Sequence, residues 1–247
     1  MNDVVMQAVD VRRVFGGLVA NDAVNIDIRT GQTHAVLGPN GAGKSTLINL
    51  LSGDLACSSG SILYRQQDIT TLTPEERSRL GVGRSYQKTN IFPSFTVLEN
   101  CRLAAQSRLP RAGALLSRAA SYRPYLERAE KALADTWLTG YEHRVAGALS
   151  HGEQRQLELA IVLSTEPQVL LLDEPLAGMG AQESVRMIEL LKSLVKTHAI
   201  LMVEHDMDAV FSIADVITVM VEGTVLMTDI PEAVRASPDV QRAYFGH

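Results

Sequence analysis

The sequence predicts an α/β fold, and three observations carry that reading. Short apolar runs that read as strands alternate with longer stretches of helical period. Several of the runs are apolar throughout, as strands buried on both faces of a parallel sheet are. One of them, "HAVL" at 34–37, enters a glycine-rich turn and leaves as a helix. Strand-like stretches occur near 4–11, 24–28, 33–37, 61–64, 82–86, 169–172, 199–203, 216–220 and 224–227. From about 99 to 165 the strand signal vanishes, and patterns such as "RPYLERAEKALADTWL" take over. The expected organisation is a single domain: residues 1–98 and 166–247 form a core, and residues 99–165 an inserted helical lobe.

Composition narrows the function classes. With 247 residues, 46% of them apolar, the chain is long enough for one large core or a core and a smaller lobe. A formal charge of −5 argues against a nucleic-acid partner gripped by overall charge. Cys57 and Cys101 make neither a disulfide framework nor a metal pattern, and no amino-terminal segment joins a basic flank to an apolar run. The longest apolar runs, at 216–221 and 199–203, fall far short of the roughly 20 residues that span a bilayer. The expectation is a cytosolic chain that meets a membrane only through partners.

The sharpest signal is "HAVLGPNGAGKSTLINLLSG" at 34–53, which contains Gly38-x4-Gly43-Lys44-Ser45 and stops its helix at Gly53. Gly41 and Gly43 let the backbone wrap a phosphate chain, inward N–H groups hold it, and the following helix adds its positive end. The candidate nucleotide cradle comprises Gly38, Asn40, Gly41, Ala42, Gly43, Lys44, Ser45 and Thr46. Lys44 reaches the β- and γ-phosphates, and the Ser45 hydroxyl is a Mg²⁺ ligand. ATP and Mg²⁺ are the implied nucleotide and ion.

"QVLLLDEPLAG" at 168–178 is the complementary piece, a buried strand ending in adjacent carboxylates that need a cation or hydrogen-bond donors beside them. Asp173 is the Mg²⁺-side candidate and Glu174 the residue that polarises an attacking water, against the simpler reading of an acidic turn capping a strand. A third strand runs through "AILMVEHDM" to His205, which the end of a parallel strand would place on the ligand edge.

"ALSHGEQRQLELAIVLSTEP" at 148–167 reads as a polar turn followed by an amphipathic helix. Leu157, Ala160, Ile161 and Ser164 recur on one face, and Glu153, Arg155, Gln156 and Glu158 fall on the other. Ser150 and Glu153 have capping-box spacing. Either this is an ordinary surface helix with a good cap, or its N–H groups await an anion.

The motifs arrive in the order "GPNGAGKS", "GRSYQ" with Gln87, "LSHGEQ", "LLLDEP" and "VEHD". In this order, over nearly the whole chain, the sequence resembles the ATP-binding subunits of ABC transporters. The resemblance implies a P-loop NTPase core with a mixed sheet, an antiparallel β subdomain and the inserted helical subdomain. It also implies ATP hydrolysis by a dimer, in which Ser150 and Gly152 of one chain meet the γ-phosphate held by the P-loop of a second ATPase subunit. Gln87 is then a catalytic residue and a Mg²⁺ ligand with Ser45 and Asp173. Glu174 and His205 complete the catalytic set, and Phe15 aligns with an aromatic that stacks on adenine, unless it is simply a core aromatic beside the first strand.

Finer likeness lies in "FGGLVANDAV", "GVGRSYQKTNIFPSFTVLEN", "AGMG" and "PDVQRAYFG". These are similar to the ATPases of branched-chain amino acid, amide and urea importers. Such subunits work with membrane permease subunits and, through them, a solute-binding protein, which implies a peripheral place on the cytoplasmic face of the inner membrane. The alternatives are the ATPase of a lipopolysaccharide-type exporter, a non-transport ABC ATPase and a nucleotide-binding module that does not hydrolyse. Two residues depart from the family pattern: His151 stands where the signature commonly has Gly, with Glu153 for Gln, and Gly180 stands where an Asp is usual. Residues 100–126 hold Arg102, Arg108, Arg111, Arg118 and Arg123 and no acid, which fits either a solvated loop or a face toward the permease or anionic headgroups.

Overall fold

The computed structural model describes residues 3–87, 90–108 and 122–245. Its main sheet has six strands in the order β10-β9-β3-β8-β7-β6. Strands β3 (Thr33–Leu37), β6 (Val82–Arg84), β7 (Val169–Asp173), β8 (Ala199–Val203) and β9 (Val216–Val221) are parallel, and β10 (Thr224–Asp229) closes one edge antiparallel. The second sheet is antiparallel, in the order β2-β1-β4-β5, from β1 (Val4–Phe15), β2 (Leu18–Arg29), β4 (Ser59–Tyr64) and β5 (Gln67–Asp68).

Every residue of β3, β7 and β8 is buried, and apart from Thr33 and His34 at the start of β3 and Asp173 at the end of β7 all of them are apolar. Their side chains divide between two cores. Val36, Leu171, Leu201 and Val203 join one that also holds the antiparallel sheet and helix α1 (Lys44–Ser52). Leu37, Leu172, Ile200 and Met202 alternate into the other, which takes in α3 (Val97–Arg108), α4 (Arg123–Asp135), α5 (His151–Leu163), α6 (Ala181–Leu194) and α7 (Met207–Ile213). The described residues also form α2 (Pro74–Leu80), α8 (Pro231–Ala236) and α9 (Pro238–Phe245).

All nine strands anticipated from the sequence are present, β3 and β8 with the expected limits and the others with different ones. Strands β1 and β2 run 12 residues each, because they pair through register shifts near Asp10 and Ala23, both at φ 47°. The two exposed polar residues of β5 carry no apolar pattern and were not expected. Helix α4 ends at Asp135 rather than near 138, since Trp137 turns to φ 60° and the Thr136 hydroxyl donates to the Ala132 carbonyl at 2.9 Å.

Candidate functional site

Parallel strands deliver their carboxyl ends to one edge, and strand register sets the neighbours. Val36 lies opposite Val203, Val203 opposite Asp173, and Leu171 opposite Arg84. The turns after β3, β8, β7 and β6 therefore stand side by side, carrying Gly38, His205, Glu174 and Gln87.

The loop after β3 depends on glycine where the chain is crowded. A Cβ at Gly43, which sits at φ 95°, would lie 2.3 Å from the Ala20 carbonyl oxygen, and one at Gly38 would lie 2.3 Å from that of Met220. Buried Lys44 folds back over the loop, donating from Nζ to the carbonyls of Gly38 at 2.7 Å and Pro39 at 3.0 Å. Burial lowers its pKa, and the charges of Glu174 and Asp173 oppose that. Helix α1 starts with no side-chain cap and no acid in its first turn. Its positive end is thus left facing the loop. Asn40, Gly41 and Ser45 are exposed, Thr46 is half-buried and Ala42 is buried.

Asp173 is buried at the end of β7, 3.7 Å from Nη2 of Arg84; burial raises its pKa and Arg84 opposes the rise. Glu174 adopts φ 49°, a left-handed conformation that non-glycine residues hold at a cost of about 1–3 kcal/mol, while its N–H donates to the Val203 carbonyl at 2.9 Å. That turn aims the carboxylate at two partners. Gln87 Nε2 donates to Glu174 Oε2 at 2.9 Å, and His205 Nδ1 stands 3.8 Å from Oε1. The His205 side chain is 62% exposed. Beneath it, buried Glu204 accepts from the N–H groups of Leu176 at 2.8 Å and His205 at 3.2 Å, tying the turns after β7 and β8 together.

The donor set fits the implied ion. A hydroxyl, an amide oxygen and a carboxylate, from Ser45, Gln87 and Asp173, are hard oxygen ligands of the kind Mg²⁺ takes. Among the described residues no group of three or more His, Cys, Asp or Glu forms a metal cage, so such an ion would draw its other ligands from phosphate and water. Phe15 is not a core aromatic. It ends β1 at 40% exposure, with the Arg13 guanidinium 4.5 Å from its ring centroid.

The Ser150 turn is built differently. Ser150 caps α5 by a full capping box: its Oγ accepts from the Glu153 N–H at 3.3 Å, and Glu153 Oε2 accepts from the Ser150 N–H at 2.7 Å. The N–H of Gly152 is not waiting for an anion, because it donates to Oε1 of Glu183 at 3.2 Å, and Oε2 of that carboxylate accepts from Gly180 at 3.2 Å. A Cβ at Gly152 would lie 2.6 Å from Glu183 Oε1, so a larger residue there would push the carboxylate aside. His151 is exposed and turns its ring toward Gly178, where an added Cβ would meet Cε1 at 3.2 Å. Among the described residues no hydrogen bond joins Ser150, His151 or Gly152 to residues 38–46.

Two polar groups stand where the sequence reading did not put them. Arg155 and Glu158, assigned to the solvent face of α5, have side chains only 7% and 5% exposed. Their side of the helix faces the Gln87 segment, whose backbone supplies their partners. Arg84, passed over in "GRSYQ", bonds Ser52 Oγ and Asn49 Oδ1, each at 2.5 Å, and pairs with Asp54, joining the end of α1 to Asp173. A charged residue in a stretch read as a strand, 82–86, was the available signal. In the arginine-rich segment, Arg108 is tied to the Ser78 and Arg79 carbonyls and Arg123 pairs with Glu127 at 2.7 Å, while Arg111 and Arg118 lie outside the described residues.

A P-loop beside paired strand-end carboxylates, on a mixed sheet flanked by an antiparallel one and by helices, defines the class of ATP-binding cassettes. A family model described as ABC transporter matches residues 21–177, and the chain belongs to that family. It is 39% identical over 240 residues to the high-affinity branched-chain amino acid transport ATP-binding protein LivG of Escherichia coli, covering 94% of both chains. It is 37% identical over 239 residues to the corresponding protein BraF of Pseudomonas aeruginosa, again covering 94% of each. Among solved structures, an ATP-binding cassette of an ABC transporter in its ADP conformation superposes with a TM-score of 0.89 at 28% identity, covering 99% of this chain and 100% of that one. A nucleotide-free cassette gives 0.88 at the same identity and coverage. No helix among the described residues is long and apolar enough to cross a membrane.

Proposed function

We propose that the chain binds and hydrolyses MgATP to power import of branched-chain amino acids or related amides, as one of two ATPase subunits on the cytoplasmic face of a membrane permease. The observation that carries the hydrolytic part is the convergence of Lys44, Asp173, Glu174, Gln87 and His205 on one sheet edge, with Glu174 held in a strained turn toward Gln87. The loop N–H groups and Lys44 bind the phosphates, and Phe15 offers its free ring face to the adenine. Ser45, Gln87 and Asp173 would hold Mg²⁺, and the ion would supply positive charge against the phosphate charge that develops. Glu174 takes the proton of the attacking water, Gln87 orients that carboxylate, and His205 contacts the γ-phosphate. Ser150 and Gly152 act on the nucleotide of the second subunit. The amino acid assignment is supported by the identity to LivG and BraF along 94% of the chain.

The test is to purify the chain with its permease subunits in lipid nanodiscs and measure ATP turnover with the cognate solute-binding protein. Leucine, isoleucine or valine is expected to stimulate turnover, and Glu174→Gln to retain ATP binding while lowering turnover by at least a hundredfold. Near-normal turnover by that variant removes Glu174 from its role. Stimulation by an unrelated solute class alone replaces the substrate assignment and leaves the hydrolytic one standing.

A further inference from the structure

Helix α5 grips the Gln87 segment through one buried ion pair. Arg155 Nη1 lies 2.8 Å from Glu158 Oε2. The same guanidinium donates to the carbonyls of Tyr86 at 3.1 Å and of Gln87 itself at 2.7 Å. The other oxygen of Glu158 accepts from the N–H of Asn90 at 2.7 Å. The backbone is therefore held at Tyr86, Gln87 and Asn90, by charge-assisted bonds from residues one and two turns beyond Ser150. The Gln87 side chain in turn donates to Glu174 at 2.9 Å.

A buried pair of this kind is poor evidence for stability, since apolar residues of similar volume often serve as well or better. Its geometry has a different use. Three backbone groups that no secondary-structure ladder satisfies are placed by side chains of α5, so the Gln87 carbonyl follows that helix when it moves. Resting on the proposed hydrolytic role of Gln87, we propose that Arg155 and Glu158 are positioning residues that couple the Ser150 helix to Gln87, bringing its amide to Glu174 only when α5 occupies its seat beside β6. Helix placement, and whatever the helical lobe binds, then reaches the carboxylate through one guanidinium.

The variants are Arg155→Met, Glu158→Leu and the two together, each also made with Gln87→Ala. The double replacement leaves no unpaired charge in the interior, and its melting temperature should match wild type within a few degrees. It should bind ATP within about twofold of wild type, with KM unchanged and kcat at least tenfold lower. Arg155→Lys, which keeps a donor but not the fork, should fall between. With Gln87→Ala present, the double replacement should cause no further loss, because residues acting in series do not add. Multiplying losses, or wild-type kcat in the double variant, overturn the proposal. Hydrogen exchange reads the same coupling without catalysis: the Asn90 amide should exchange faster in Glu158→Leu, and unchanged exchange is a second way to overturn it. If the wild-type chain shows no Lys44-dependent hydrolysis, the reading of the site fails, while the exchange result still decides the coupling.

Discussion

Two helix starts carry the proposed phosphate-binding motifs, and they are built to opposite plans. Helix α1 begins at Lys44 behind a glycine, with no side-chain cap and no acid in its first turn. Helix α5 begins behind Ser150 with both halves of a capping box, and a second carboxylate, from Glu183, on the Gly152 N–H. The first leaves orphan donors and a positive helix end facing a loop, which is what a resident anion needs. The second pairs its Ser150, Gly152 and Glu153 N–H groups within the chain, so a phosphate must displace a carboxylate to reach Gly152. The difference matches their proposed tasks: α1 holds nucleotide throughout, whereas α5 engages the nucleotide of another subunit only when two chains close.

The largest effect should fall on the open end. Lys44→Ala removes the ammonium over the loop and leaves the carbonyls of Gly38 and Pro39 without their donor. ATP affinity should drop at least tenfold and turnover to background, read by nucleotide titration and phosphate release. Since Lys44 also lies among the charges of Asp173 and Glu174, its removal takes a positive charge away from two carboxylates. Retention of affinity would mean that the backbone amides alone hold the phosphates, and the contrast between the two helix starts would then rest on caps rather than charge.

A smaller and opposite effect is expected at the closed end. Glu183→Gln keeps the side chain's length and an oxygen for the Gly152 N–H but removes the charge that competes with phosphate. ATP-dependent dimerisation, measured in the Glu174→Gln background by size-exclusion chromatography, should tighten by roughly three- to tenfold, or about 0.7–1.4 kcal/mol. The melting temperature should fall, because the amide has a single oxygen: the Gly152 N–H keeps a neutral acceptor, and the Gly180 N–H faces an NH2 donor in place of its carboxylate oxygen. Weaker dimerisation would show that Glu183 organises the turn for phosphate rather than blocking it.

How much of this was legible in the sequence divides along the same line. The open start announced itself, because glycines at crowded backbone positions and a lysine at fixed spacing leave few other readings. The strands that position it were equally plain, since β3, β7 and β8 are buried from end to end. The cap on α5 was visible too, as Ser150 and Glu153 are neighbours in sequence. Glu183 was not, because it meets Gly152 across 31 positions from a different helix. Helical periodicity misplaced Arg155 and Glu158 for a related reason. Period distinguishes polar from apolar faces, and their polar face is covered by a loop whose backbone, not its side chains, supplies the partners.

The smallest effect should belong to His151, where the sequence departs from the commoner glycine. Its ring lies over Gly178 in the loop that follows Glu174, and the residue is exposed. His151→Gly removes that contact and adds backbone freedom at the first helical position, where the penalty for glycine is at most the ~1 kcal/mol it costs in a helix interior. Neither change touches the Ser150 hydroxyl or the Gly152 N–H. Turnover should therefore change by less than about tenfold, roughly 1.4 kcal/mol in the barrier, with ATP affinity of the isolated chain unaltered. A Gly178→Ala variant checks the packing side of the argument, since its Cβ would meet the ring at 3.2 Å and glycine there holds φ 75°. If His151→Gly instead cost a hundredfold in turnover while Gly178→Ala did nothing, the imidazole would have to leave Gly178 in the closed dimer and bond the phosphate itself. The closed start would then carry a cationic donor of its own, and its contrast with Lys44 would narrow to one of timing.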